Sequence, residues 1–310
     1  MLTLSISAHA LRRAASLASV AVAGTLIVAK IFAFFHTHSV ALLSSLVDSG
    51  VDLLASVITA YGVAQALRPA DREHRFGHGK AESLAAMAQA AFITGASILL
   101  LIEAFSRLRN PQPLEDLTAG YFVMALAIVL TALLLALQTY TVRRTSSLAI
   151  ASDRLHYVGD ILINLTVIGS FALQDIWNLN WIDPVFAVAI GLSLLWGAWK
   201  IGRQAMDVLM DAELPEADRN TIAALALSVP GVVGLHDMRT RSDSEKPIIE
   251  MHIEMPPTLP LLKAHDIAEA VMRKVRTAYP SADILVHQDP HGVDEERLDL
   301  TIEKDLFSQD

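Results

Sequence analysis

The chain has no cysteine and little charge. Without thiols there can be no disulfide, no thiolate nucleophile and no cysteine-based zinc knuckle, so any bound metal must be held by His, Asp or Glu. Charged residues make up 18% of the 310 positions, and 33 acids against 24 bases give a formal net charge of -9. A chain of that sign lacks the basic face that nucleic acid requires. Internal repeats, low-complexity segments and an HExxH or comparable hydrolase motif are also missing. No cleavable signal peptide is evident. The first apolar run is too long for an h-region and lacks a small-x-small exit, so it reads as a membrane span.

Apolar residues, by contrast, are abundant: 53% of the chain, with a mean hydropathy of +0.43. They crowd the first two thirds, whereas the sequence from about Asp211 has the pattern of an ordinary soluble domain. A helix needs roughly twenty apolar residues to cross a bilayer. Six runs qualify: 14–35, 40–67, 81–108, 121–142, 148–174 and 184–208. If the spans alternate, Arg12, Arg13, Arg68, Arg72, Arg75, Lys80, Arg143, Arg144, Lys200 and Arg203 share one side, with Arg107 and Arg109 opposite. The positive-inside rule then predicts cytoplasmic termini at both ends.

Beyond Asp211 the periodicity changes. ELPEADRNTIAALALSVP predicts a short helix whose acidic start suits the helix dipole. VVGLHDMRTR and IIEMHIEM predict strands separated by the turn-prone SDSEKP. In the second, Ile249, Met251, Ile253 and Met255 alternate with Glu250, His252 and Glu254, one face core and the other polar. A helix over 262–279 and a strand at DILVHQD complete the order αββαβ. The expected fold is therefore an α-helical membrane protein of six transmembrane helices with a C-terminal α+β domain. The expected boundaries are 1–210, 211–295 and an acidic flexible tail over 296–310.

Three constellations carry chemistry. In VDSGVDLLAS, Asp48 and Asp52 lie four apart and so project from one helix face. SDRLHYVGDILIN repeats the device with His156 and Asp160, and Asp153 sits a turn earlier on the same stripe. A central Asp costs roughly 2.5–3.5 kcal/mol to insert, so these groups demand compensation. Three carboxylates and an imidazole form a set that Zn²⁺ accepts in tetrahedral geometry; the blander alternative is a polar cluster joining helices. The loop PADREHRFGHGKAES holds Asp71, His74 and His78, either a small exposed metal site or simply solvated histidines. The soluble part holds His236, His252, His265, His287 and Asp289, dense for ligands, with scattered surface histidines as the alternative. Glu103 and Arg107, four apart, form either an ion pair or a vestibule.

Taken together, DxxxD, HxxxD, HRFGHGKAES, LHYVGD, VHQDP and a histidine-rich αββαβ tail resemble the cation diffusion facilitator family, near its bacterial zinc and ferrous-iron efflux subgroup. The resemblance runs from about Ala14 to Pro290. It implies a homodimeric antiporter in the bacterial inner membrane that exports a divalent cation while protons enter, rather than an enzyme. Asp48, Asp52, His156 and Asp160 match the transport site, and Asp71, His74 and His78 the loop site. His236, His252, His265, His287 and Asp289 match a cytoplasmic binuclear site with Asp289 as bridge. Lys80 and Asp211 match an inter-domain charge lock. Asp153 falls outside the family's transport set and is expected to serve the start of its helix. VRRTSS is too short for a long His-rich loop between spans four and five, which favours a bacterial origin.

The mechanism expected from these residues is exchange at one set of ligands. Metal binding needs deprotonated ligands, so loading displaces protons, and protons compete for the ligands, chiefly His156, when the site faces outward. One imidazole among carboxylates suits Zn²⁺, with Cd²⁺, Co²⁺ and Fe²⁺ as alternatives. Two rival classes are a membrane metalloenzyme and a metal-free organic-cation transporter. Four protein ligands leave zinc no open position for the first, and the second does not account for the His-rich tail.

Overall fold

The computed structural model describes residues 7–37, 40–109, 121–177, 182–244, 246–293, 297 and 299. The chain divides into two compact units, Met1–Met206 and Asp207–Asp310. The first is built from helices α1 (Ala8–Thr37), α2 (Val40–Ala66), α3 (Lys80–Arg109), α4 (Tyr121–Thr145), α5 (Leu148–Trp177) and α6 (Ile182–Leu209). None of the first five contains proline, and Pro184 falls in the first turn of α6, where its missing N–H goes unneeded. At 25 to 30 residues each, the helices exceed the roughly 30 Å hydrocarbon thickness.

Among the described residues, four helices are long and apolar enough to cross: Ala8–Phe35, Lys80–Arg109, Ala125–Thr145 and Pro184–Leu209. Six runs were expected; α2 and α5, each described only in part, are not among these four. The expected short loops at HTHS and between spans five and six, and the acidic tail over 296–310, lie largely outside the described residues.

The helical unit is packed inside out relative to a water-soluble protein. Many of its buried positions are small or polar, such as Ala15, Ser19, Ala23, Ser56, Thr59 and Ala86, while Leu17, Phe32, Leu99 and Trp196 are exposed. Small residues let helix backbones approach and leave bulky side chains for lipid. Gly62 is the tightest case: a Cβ there would collide with the Cβ of Ala85 on α3 and stand 3.1 Å from the Ala81 carbonyl. α1 packs against α2 and α4, and α5 against α2, α3 and α4. Ile190, Leu194 and Ala198 of α6 close over Ile93. Arg12 is buried, ion-paired to Glu82 at 3.2 Å and donating to the Thr145 carbonyl, where it meets the negative end of α4.

The second unit follows the expected order: α7 (Glu216–Leu227), β1 (Gly234–Ser242), β2 (Pro247–Met255), α8 (Leu261–Ala278) and β3 (Asp283–Pro290). Its sheet runs β1-β2-β3, the first pair antiparallel and the second parallel, with α8 as the crossover that parallel strands require. Ile249, Met251 and Ile253 bury against Ile222, Val271 and Val275 of the helices. The opposite face of β2 therefore carries Glu250, His252 and Glu254. Between His236 and Arg239 the β1 register slips by one residue, and Asp237 takes φ 46°. This bulge puts His236 opposite His252 on the polar face, yet Thr240 opposite Ile249 of the core face.

Candidate functional site

The two membrane stripes meet. His156 Nε2 of α5 lies 3.0 Å from Asp52 Oδ1 of α2 and 3.7 Å from Asp160 Oδ2, one turn further along its own helix. The ligand atoms of these three residues all fall within 4.8 Å of one another. For bonds near 2.05 Å, a tetrahedral zinc site has donors about 3.3 Å apart, so the observed separations bracket what the ion needs. Asp52 and His156 share a hydrogen bond, and a metal held by both atoms would displace its proton. Asp48 is exposed and stands outside the three-residue cluster, but it lines the same cavity, of about 450 Å³. Lys30 of α1 lines it too, with Nζ donating to Ser49 Oγ at 2.5 Å. Sequence reading missed Lys30; its signal was a cation near the end of the first apolar run.

Asp153 does not serve the start of its helix. It lies beyond the first turn of α5, wholly buried, and accepts hydrogen bonds from three other helices. Ser19 Oγ donates at 2.5 Å, Gln138 Nε2 at 2.7 Å and Gln89 Nε2 at 3.2 Å. Gln89 also donates to Thr59 Oγ1 and the Ala55 carbonyl of α2, so this network ties five helices. Tyr157, beside His156, bonds Ser56 and the Ser19 carbonyl. A buried carboxylate needs such donors, but its partners lie on three other helices, beyond the reach of a local pattern.

In the loop before α3, Asp71 Oδ1 accepts the N–H groups of Glu73 at 2.9 Å and His74 at 2.7 Å, closing a turn. The bond from His74 first, then that from Glu73, hold its carboxyl below the ordinary carboxylate range, with the neighbouring histidines adding to the effect. His74 Nδ1 and His78 Nε2 stand 3.4 and 3.3 Å from its two oxygens. The three residues form a second cluster of ligand spacing. Gly77, at φ 99°, permits the turn that leads His78 into α3. Glu103 and Arg107 form an exposed ion pair at 2.8 Å.

The sheet of the second unit makes the third cluster. His236, His252 and His287 occupy the same rung, one on each strand. Neighbouring rings stand 5.2 and 4.5 Å apart. Asp289 closes the group: Oδ2 lies 2.8 Å from His252 and 3.4 Å from His236, and Oδ1 lies 2.9 Å from His287. Asp289 and His236 are each 5% exposed, whereas His287 is 61% exposed, so the cluster opens at one edge. His265 is exposed on α8, the layer behind the core face, and its ring joins no hydrogen bond or ion pair among the described residues. Asp211 pairs with Arg241 at 3.4 Å.

Residues 16–210 match the cation efflux transmembrane domain, and residues 214–291 match the cytoplasmic domain of cation efflux proteins. The chain is 43% identical over 281 residues to the cation-efflux pump FieF of Yersinia enterocolitica, covering 91% of this chain and 93% of that one. The FieF pump of Yersinia pestis is equally similar over the same shares. Among solved structures, a MamM-CTD variant matches 24% of this chain and 96% of its own, at 30% identity and a TM-score of 0.24.

Proposed function

Because the chain belongs to the cation efflux family, we propose that it exports a divalent metal cation, Zn²⁺ first, in exchange for protons. The observation that carries this reading is the meeting of Asp52, His156 and Asp160 at donor spacing in a cavity that Asp48 also lines. In this reading all six long helices cross a bacterial inner membrane with both termini cytoplasmic, and α2 and α5 cross because their aspartates face one another. Asp48 completes the ligand set. The metal leaves its water for the four donors as the Asp52–His156 proton departs; outward exposure returns a proton to the same atoms and frees the metal. Cd²⁺, Fe²⁺ and Co²⁺ suit the same mixture of nitrogen and oxygen.

The remaining clusters take supporting roles. Asp71, His74 and His78 would pick up cations near the cytoplasmic face. Asp289, with one oxygen toward His287 and the other toward His236 and His252, is disposed to bridge two ions in a homodimer. His265 would enter only from elsewhere in the assembly. Lys80 and Asp211 are proposed to form a charge lock between the units.

Sealed proteoliposomes test the function. Uptake of Zn²⁺, Fe²⁺ and Mn²⁺ is followed beside internal pH, for wild type and Asp52→Ala. Metal flux with counter-moving protons, abolished by the substitution, is expected. Metal binding without flux in the wild type would overturn the reading and point to a sensor.

A further inference from the structure

We propose that Lys30 is a selectivity residue of the transport cavity, a fixed positive charge that keeps the site matched to a divalent ion and able to release it. A lysine near the end of a membrane helix ordinarily extends toward the headgroups. Here Nζ turns inward to Ser49 Oγ at 2.5 Å, on a buried serine adjacent to Asp48. The side chain lines the same cavity as Asp48, Asp52, His156 and Asp160.

An ammonium offers only donors, so it cannot ligate a metal and acts on the cargo through charge alone. Three carboxylates less one ammonium leave a charge of minus two, which a divalent ion neutralises. Before the ion arrives, Lys30 offsets part of the repulsion among the carboxylates; after it arrives, Lys30 repels it. A transport site must bind firmly enough to load and weakly enough to let go. Lys30 supplies the second half of that requirement. The inference rests on the cavity being the cation's path.

The test uses full-length protein with Zn²⁺ as probe. Binding is read by calorimetry in detergent, with Asp52→Ala subtracted to isolate this site, and flux is read in proteoliposomes. Lys30→Met is expected to tighten zinc binding by about tenfold or more while slowing maximal flux, since a charge is removed from a low-dielectric cavity. Lys30→Arg keeps the charge and is expected to bind near wild type. Unchanged or weaker zinc binding in a monodisperse Lys30→Met, or in Lys30→Gln, overturns the proposal. If Asp52→Ala binds and transports like wild type, the path lies elsewhere and the functional reading itself fails. If Asp52→Ala loses both while Lys30→Met matches wild type, only the role of Lys30 fails.

Discussion

Removing the Asp153 carboxylate should loosen the helical unit more than any change of comparable size at its surface. Asp153 receives donors at 2.5, 2.7 and 3.2 Å from Ser19, Gln138 and Gln89. In Asp153→Ala the three lose unequally. Ser19 can fall back on the Ala15 carbonyl at 3.2 Å. Gln89 keeps Thr59 and the Ala55 carbonyl for its two hydrogens. Gln138 keeps only Ser19 and strands one buried N–H. One orphaned donor together with weakened bonds to a charged acceptor amounts to about 2–4 kcal/mol. For a unit of this size that is a fall of roughly 5–12 °C in thermal midpoint. Asp153→Asn behaves differently, because an amide oxygen in the place of Oδ2 still accepts from Ser19 and Gln138. Only the bond from Gln89 is lost, and Gln89 keeps its two others, so the loss should stay at about 1 kcal/mol. The assay is thermal unfolding of the purified protein in one detergent at a fixed heating rate. An Asp153→Ala midpoint within 2 °C of wild type (about the scatter expected for a neutral surface change), or an Asn variant as damaged as the Ala variant, would refute the argument.

Two further outcomes are expected. In the second unit, Asp289→Asn should weaken zinc binding at the histidine rung at least about tenfold while leaving the fold intact, since a neutral carboxamide is a much poorer metal ligand than a carboxylate and the residue faces all three histidines; calorimetry beside circular dichroism checks it, and unchanged affinity removes Asp289 from the ligand set. In the loop, the Asp71 carboxyl is held below its ordinary 3.8. A lowered carboxyl stabilises its turn fully above the unfolded value and loses that contribution as pH falls through the folded one. The turn should therefore persist from neutrality down to about pH 4, and break only under stronger acid. Carboxyl-carbon NMR of labelled Asp71 reads this directly, and a midpoint at or above 3.8 contradicts it.

Legibility in the sequence followed the range of the interaction. β2 was readable because alternation is local: Ile249, Met251 and Ile253 against Glu250, His252 and Glu254 report two faces without any knowledge of the partners. The pairs Asp48/Asp52 and His156/Asp160 were readable because a helix puts i and i+4 on one side. That the two stripes face each other, and that Asp48 stands outside the tight cluster, depends on how α2 packs against α5. Lys30 passed as an ordinary residue near a span end because its partner, Ser49, lies on the next helix. Asp153 was misplaced for the same reason, its donors being Ser19, Gln89 and Gln138. His265 entered as one of five closely spaced candidate ligands, and its place on α8 shows why density along the chain could not separate it from the rung.

The extra residue in β1 couples two things that could otherwise vary independently. In a regular strand His236 and Thr240, four apart, would share a side; the half-step at Asp237 separates them, so Thr240 packs with the core while His236 joins the rung. Deleting one residue there would turn Leu235 outward and His236 inward, or else displace everything after it. The strand therefore cannot drift in length by a single residue at this point. Core and ligand set must be inherited together, and a change that spares the fold there while erasing the rung has to be a substitution, never an insertion or a loss.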